Sequence, residues 1–487
     1  MRAEMSAAVE AGADTVECRL DYLAAAPTRD ELAILLTDPP VDVIVTYRPA
    51  RQGGRFEGDE GARLALLRMA AKFAPAFIDI EADVPASDRP PGRLIVSNHD
   101  FKSAPADMDG VLSSLASPSS AVVKKVAFTP SGPEDALRAL EAARSAEKPI
   151  ISLAMGEHGL ASRILAGKFG AFGTFAALDK QKGSAPGQPT IEEFLQLYRW
   201  ADIGPDTEVY GVIASPVAHS MSPAIHNSAF GAAGIDAVYI PLLVDPGRDN
   251  FTRFMDAALS SPWLGLRGLS VTIPHKENAL DFVCADRCDP LAVRIGAINT
   301  VTISPKGQLR GDNTDYAAAI DALCNTMDIE REGLSDRPVA VLGAGGVARA
   351  IVAALTHHGA DVTIYNRTVS RGERLADDFA CKAAGLEAIG GMDAEIVINC
   401  TSVGMHPKVE NTPLSEIPDS VRVVFDTIYN PVQTRLLADA GAKGCLCVSG
   451  RDMFVNQAVA QFEIWTGKPA PRNVMKQVMT EKLSQEG

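Results

Sequence analysis

Residues 337–368 read RPVAVLGAGGVARAIVAALTHHGADVTIYNRT: an apolar run, a glycine turn, a helical stretch and a second apolar run. That succession is a βαβ unit, and it places this part of the chain in the doubly wound α/β class. Gly343, Gly345 and Ala348 fit the spacing G-x-G-x-x-G/A, with Ala344 and Gly346 between them. Glycine permits the tight turn and lets a pyrophosphate approach the helix N-terminus closely. An NAD site would carry Asp or Glu at the end of the second strand. Asn366, Arg367 and Thr368 stand there instead, with Arg371 close behind. A carboxylate would repel a 2′-phosphate and arginine pairs with it, so the expected cofactor is NADP. The alternative is that both arginines are ordinary surface charges.

Upstream lies VYGVIASPVAHSMSPAIHNSAF (209–230). Ser222 followed by Pro223 predicts a helix start, serine at the N-cap and proline at the first helical position. Such a start with neighbouring hydroxyls, Ser220 among them, also suits a carboxylate. LSVTIPHKEN (269–278) then places Lys276 just past a strand, and GDNTDY (311–316) supplies Asp315. A lysine and a carboxylate that meet across a cleft form an acid–base pair. By spacing alone the signal is weak, since such a lysine is more often solvated and such an aspartate more often a helix cap.

The first two hundred residues alternate apolar runs with helical stretches. The runs are 15–22, 41–48, 76–82, 93–100, 121–129, 149–156 and 172–179, seven in all. Parallel βα units follow, and a closed barrel needs eight strands. In TVECRLDY (15–22), Val16, Cys18 and Leu20 share one face and Glu17, Arg19 and Asp21 the other. Charges on an interior strand face imply a polar site inside. Arg48, His99 and Met155 stand at strand ends, where barrel enzymes place their chemistry. Lys124 and Lys125 are adjacent in one strand, so one faces inward. Desolvation makes an interior lysine available as a neutral amine toward a carbonyl, and a nearby histidine can move protons. The residues themselves point to Schiff-base chemistry on a ketone.

ECRLD, TYRPARQGG, SNHDF, KVAFTP, SLAMG, Arg163 of ASRILAGKFG and SAPGQ together resemble the type I 3-dehydroquinate dehydratases. The resemblance implies that Lys125 forms an imine with 3-dehydroquinate and that His99 shuttles protons. It implies that Glu17, Arg19, Arg48, Arg163, Ser184 and Gln188 hold carboxylate and hydroxyls. Lys124 is then a surface residue. Many family members carry Glu, in contact with the catalytic histidine, where Gln52 precedes the Gly53–Gly54 pair. An uncharged partner would stabilise imidazolium less and shift the pH profile. Members also begin with a strand, whereas this chain opens on a helical pattern. The expectation is a (β/α)8-type barrel lacking its first strand, with the start upstream or the barrel open and the dehydratase weakened.

SPVAHSMSP, VTIPHK, GAINT, GDNTD, GAGGVAR, NRTVSR, NCTSVGM, FDTIYNP and GRDMFVNQA resemble shikimate dehydrogenase. By that resemblance Lys276 and Asp315 are catalytic, and Ser220 and Ser222 bind the substrate carboxylate. Thr272, Asn299, Tyr429 and Gln457 touch ring hydroxyls or carboxylate. The glycine loop, Asn366, Arg367, Thr368, Arg371, Met405 and Gly450 serve NADP. The implied domains are a barrel over 1–198, a substrate domain over 208–325 completed by 450–487, and a Rossmann domain over 326–449. Their order resembles the bifunctional enzyme of plants and some bacteria, acting on 3-dehydroquinate, 3-dehydroshikimate and shikimate. A dehydrogenase with a scaffold-only barrel, a regulator like the fungal quinate repressors, and quinate as substrate with NAD are the alternatives.

Composition agrees. A chain of 487 residues suggests about three domains. The net charge of −15 argues against non-specific nucleic-acid binding but not against small anions. Eight scattered cysteines without a CxxC pair, and no cluster of metal-ligand spacing, read as a reduced cytoplasmic protein without a metal. The first residues carry charges and resemble no signal peptide, and no apolar run is long enough to span a membrane. The oligomeric state is left open.

Overall fold

In the computed structural model, residues 1–115, 121–180, 183 and 187–486 are described. They form two compact units, Met1–Ala218 with Asp236–Leu266, and His219–Ile235 with Arg267–Gly487.

The first unit contains six parallel strands that pair in chain order. These are β1 (Thr15–Arg19), β2 (Asp42–Thr46), β3 (Phe77–Glu81), β4 (Leu94–Asp100), β5 (Ala121–Phe128) and β6 (Ile150–Ala154). Helices such as Arg29–Leu36 and Glu60–Ala71 lie between them, each started by a side-chain cap, Thr28 and Asp59. Leu32, Val45, Leu67, Ile80 and Val96 pack between helices and sheet. The opposite face of alternate strand positions carries the polar residues.

The seventh apolar run, 172–179, is not a ladder strand. Phe172 N–H donates to Ile150 at 2.7 Å, and Ala177 makes one isolated bridge to Thr190. Phe172 still packs edge-on against Phe77 of β3 at 5.3 Å, so the run covers the sheet's end without joining its ladder. The sheet is therefore a parallel half-barrel of six strands among the described residues. The same unit contains β7 (Glu208–Ala214) and β8 (Ala237–Leu243), paired in parallel.

In the second unit β10 (Thr300–Ile303) pairs antiparallel with both β9 (Leu266–Val271) and β11 (Leu309–Asp312). A six-stranded parallel sheet follows: β12 (Pro338–Leu342), β13 (Asp361–Asn366), β14 (Lys382–Gly385), β15 (Ile396–Asn399), β16 (Val423–Asp426) and β17 (Leu446–Ser449). Its order, β14-β13-β12-β15-β16-β17, is that of a Rossmann sheet, with the chain reversing beside β12. Helix Gly346–His357 buries Ile351, Val352 and Leu355 against it. The last helices are Gly450–Thr466, capped by Ser449, and Arg472–Glu486. The helix expected to be capped by Ser222 begins one residue earlier: Met221 is the N-cap and Ser222 already helical. Pro223 tolerates the second position as well as the first, because that N–H also lacks an intrahelical partner.

Candidate active sites

Strand alternation puts Lys125 inside the first unit and Lys124 outside. Lys124 Nζ donates to the Leu112 carbonyl at 2.8 Å. Lys125, 6% exposed, meets carboxylates from two other strands, Asp79 at 2.9 Å and Glu17 at 3.8 Å. Its ammonium also lies 4.4 Å from the centre of the Phe175 ring. Thr46 Oγ1 donates to Glu17 at 2.7 Å.

Arg48 spends its guanidinium inside the protein. It pairs with Asp79 at 2.9 Å and Glu81 at 2.8 Å, and donates to Ser97 Oγ at 2.8 Å. Ser97 in turn donates to Asp79 at 2.6 Å. Arg63, fully buried, closes the rear at 2.8 Å from Glu81. Burial pushes the Asp79 carboxyl up, but the charges of Arg48 and Lys125 outweigh it and hold Asp79 below the usual range. For Glu81 burial prevails over Arg48 and Arg63, and its pKa is raised.

His99 lies within β4, opposite Ala127, rather than past its end. Burial first, then the charges of Arg48 and Lys125, hold its imidazole well below the ordinary value, so the ring is neutral at pH 7. Its Nδ1 is buried without a hydrogen-bond partner among the described residues. Gln52 does not bond the ring: its Oε1 accepts from the His99 backbone N–H at 3.1 Å. The expected Gln52–imidazole bond is thus replaced by one to the main chain, because the extended strand offers its N–H nearer to the loop.

Arg19 forms a two-point pair with Asp21, at 2.9 and 2.7 Å. Arg163 differs from both other arginines. It is 3% exposed, makes no ion pair among the described residues, and its Nε has no partner. Burial lowers its pKa to about 10, which still leaves it charged. A cavity of about 310 Å³ brings Glu17, Arg19, Arg48, His99, Lys125, Arg163 and Gln188 to one lining. Ser184 lies outside the described residues. A ketone that also carries a carboxylate matches this lining, which combines a lysine, a neutral imidazole and a guanidinium without an ion pair among the described residues.

Asp79, Glu81 and Ser97 escape a reading of single motifs. The available signal was FIDIE (77–81), where two acids share one face of a parallel strand, as Glu17 and Arg19 do in β1.

In the second unit, Lys276 opens helix Lys276–Val283 and Asp315 lies in the first turn of helix Thr314–Met327. Their side chains meet at 2.6 Å, partly exposed. Asn313, not Asp315, is the cap, accepting from the Asp315 N–H at 3.1 Å. That leaves the Asp315 carboxylate free for Lys276. Asn299 joins the group: Ile298 N–H donates to the Lys276 carbonyl at 3.1 Å, and Asn299 Oδ1 accepts from Thr314 N–H at 2.8 Å. Val271 N–H donates to the Asn299 carbonyl at 2.8 Å, which sets Thr272 beside it.

Helix Gly450–Thr466 is fastened to the same place by Gln461, which accepts from Ser270 at 2.8 Å and donates to Thr300 at 3.0 Å. Gln457 lies one turn before, and Phe454 of this helix packs against Tyr429 at 5.3 Å. Ser220 Oγ accepts from Ser222 N–H at 3.3 Å, so those two hydroxyl residues form their own small cradle.

The glycine loop follows β12. Gly343 has φ +106°, and an added Cβ would lie 3.1 Å from Thr401, so only glycine fits. Around Gly345 and Gly346 an added Cβ meets nothing within 4 Å. Gly345 is the N-cap of helix Gly346–His357, with no side chain closing it. Asn366 donates to the Thr368 carbonyl at 2.8 Å and shapes the turn after β13. Arg367 and Arg371 are exposed and make no ion pair among the described residues. An open helix N-terminus beside two unengaged arginines fits a dinucleotide with an extra phosphate. Met405 is 47% exposed in the loop after β15. Gly450 lies where an added Cβ would come 2.4 Å from the Thr427 carbonyl, so its helix starts against that loop's backbone.

Family models match successive parts of the chain. Type I 3-dehydroquinase matches residues 1–205, and the shikimate dehydrogenase substrate binding domain matches 212–301. Shikimate / quinate 5-dehydrogenase matches 327–432, and the shikimate 5'-dehydrogenase C-terminal domain matches 450–480. The chain is 40% identical to a bifunctional 3-dehydroquinate dehydratase/shikimate dehydrogenase, chloroplastic, of Arabidopsis thaliana, over 98% of this chain and 82% of the relative. It is 43% identical to a shikimate dehydrogenase (NADP(+)) of Methanosarcina acetivorans, over 56% of this chain and 98% of the relative. A crystal structure of a shikimate dehydrogenase in complex with NADP+ superposes with a TM-score of 0.52 and 34% identity, covering 57% of this chain and 96% of that one.

Proposed function

This chain belongs to the bifunctional 3-dehydroquinate dehydratase/shikimate dehydrogenase family, and we propose that Lys125 and the Lys276–Asp315 pair carry its two reactions. It is a lyase and an oxidoreductase in one polypeptide. The observation that carries the first assignment is the one cavity lined by Lys125, a neutral His99 and an Arg163 that makes no ion pair among the described residues.

In the dehydratase, Arg163 holds the carboxylate of 3-dehydroquinate and so aims its ketone at Lys125. Lys125 passes its ammonium proton to neutral His99, the free amine adds to the carbonyl carbon, and His99 returns the proton to the carbinolamine hydroxyl, so that water leaves and the protonated imine forms. Asp79 and Glu17 flank the nitrogen and stabilise its positive charge. Neutral His99 takes the α-proton and returns a proton to the departing hydroxyl, so one water leaves. A second water then releases 3-dehydroshikimate and regenerates the amine. Arg48, occupied by Asp79, Glu81 and Ser97, acts on substrate chiefly by holding Asp79 in place.

In the dehydrogenase, Ser220 and Ser222 receive the substrate carboxylate, and Thr272, Asn299, Tyr429 and Gln457 receive hydroxyls. Lys276 donates a proton to the carbonyl oxygen as 3-dehydroshikimate becomes shikimate, and Asp315 orients and recharges it. Gly343, Ala344, Gly345, Gly346, Asn366, Thr368 and Gly450 are suited to hold NADP, with Met405 at the nicotinamide end. When bound, the reduced cofactor supplies the hydride. Arg367 and Arg371 select the 2′-phosphate.

The domains are read as 1–198, 208–325 with 450–487, and 326–449. No helix among the described residues is long and apolar enough to cross a membrane. Eight free cysteines suit a reducing compartment, and the cytoplasm is the one proposed. The test is a separate assay of each step on the full chain, with borohydride added during dehydration. A stable adduct on Lys125, absent from Lys125→Ala, is the expected result; turnover without any adduct would refute the imine.

A further inference from the structure

Within the first unit, the half-barrel does not meet residues 236–266 evenly. The contacts gather on helix Glu134–Arg144, before β6, and on the segment that follows β6. Phe169 packs edge-on against Trp263 at 5.0 Å, and the Arg144 guanidinium lies 5.4 Å from the same indole. His158 Nε2 lies 3.2 Å from Asp245 Oδ2, just past β8, close enough to pair when the imidazole is protonated but without hydrogen-bond geometry. Helix Leu160–Ile164 packs on β8 itself, and helix Glu134–Arg144 runs along helix Arg248–Leu259, where Arg253 pairs with Glu134. Lys168 donates to the carbonyls of Pro205 and Thr207 at 2.7 Å each.

The segment so held is a wall of the dehydratase cavity. Met155, Gly156 and Arg163 line the cavity, and His158 and Lys168 lie on either side of Arg163. On the inner side the wall has no slack: Ser162 Oγ accepts from Ala154 N–H at 3.0 Å, and a Cβ on Gly159 would lie 2.1 Å from the Ala154 carbonyl. Arg163 itself has no ion pair among the described residues to hold its guanidinium. Where the guanidinium points is set by where its short helix sits, and that helix is pressed between β6 and β8.

We infer that residues 236–266, which belong to the dehydrogenase, position Arg163 for the dehydratase, with Trp263 and Asp245 as the anchors. Trp263 and Asp245 are positioning residues; neither lines the cavity. The inference rests on reading Arg163 as the ligand of the substrate carboxylate. It implies that the dehydratase is completed by part of the enzyme that consumes its product.

The test is steady-state dehydratase kinetics on the full chain for Trp263→Ala, Asp245→Ala, Arg163→Ala and the double variant Arg163→Ala/Trp263→Ala. Reduction of 3-dehydroshikimate by the same samples reports folded protein. Loss of aim at a binding group raises KM more than it lowers kcat. Trp263→Ala is expected to raise KM for 3-dehydroquinate about fivefold or more with kcat within about twofold, and Asp245→Ala to act in the same direction. Trp263→Phe keeps a ring against Phe169 and should restore most of the loss. Adding Trp263→Ala to Arg163→Ala should change nothing further, because the two act through one contact. An unchanged KM in both anchor variants overturns the inference, as does a full Trp263→Ala effect in the Arg163→Ala background. If Trp263→Ala does not fold, Asp245→Ala decides, its carboxylate being half exposed. If Arg163→Ala alone leaves KM unmoved, the carboxylate reading has failed instead.

Discussion

Asp79→Asn removes one negative charge and little else. In the native protein that carboxylate lies 2.9 Å from Arg48, 2.9 Å from Lys125, and accepts from Ser97 at 2.6 Å, with no exposed surface of its own. The amide leaves two buried cations with only Glu81 and the more distant Glu17 between them. Removing one partner of a buried ion pair costs about 3–5 kcal/mol. At roughly 2–4 °C per kcal/mol for a unit of this size, the first unit should melt about 6–20 °C lower at neutral pH. The sign with pH follows from the direction of the shift. Asp79 is held below its unfolded value, so its contribution is complete above about pH 4 and fades as pH falls through the folded value. The two proteins should therefore differ most at pH 6–8 and converge in acid. Calorimetry of the full chain measures this, and dehydratase turnover should fall at least about tenfold as Lys125 loses its fixed partner. Equal melting at pH 7 with unchanged turnover would show that the charge network does not hold Lys125.

Further expectations follow from the two sites. Because His99 is held neutral, dehydratase kcat/KM should stay flat from pH 8 to about pH 6 and fall only in more acid solution; Gln52→Glu should move that limb upward, and an unmoved limb would exclude influence from that position. Lys276→Met should lower shikimate formation about 10²-fold or more while dehydratase rates on the same sample stay unchanged, since the proton donor is lost and the other site is not touched. Arg371→Glu should weaken NADPH binding and narrow the preference over NADH about tenfold or more, read from KM for each cofactor.

Legibility differed by kind of feature. Glu17 and Arg19 could be placed on one face, and one of Lys124 and Lys125 on the interior, because strand alternation is a property of the backbone, independent of neighbours. The glycine turn at Gly343 could be read for the same reason: its φ of +106° excludes other residues. Seven strands could not be told from six, because an apolar run becomes a strand only if a neighbour accepts its ladder, and 172–179 finds a single bridge. Likewise Gln52 was legible as a partner of His99, but not which of that residue's atoms it meets.

By itself, then, the amino-acid sequence determined the two α/β halves and the dinucleotide turn, consequences of local period and local sterics, while the lysines expected to react were singled out by family resemblance. Only the tertiary structure decided what surrounds them. Asp79 and Lys125 are 46 positions apart, Lys276 and Asp315 are 39, and Trp263 meets Phe169 across the boundary between two activities. Pairing of charges depends on distance and on the loss of water around them, and neither quantity exists until the strands are in register. The same holds for Arg163, which is buried and makes no ion pair among the described residues.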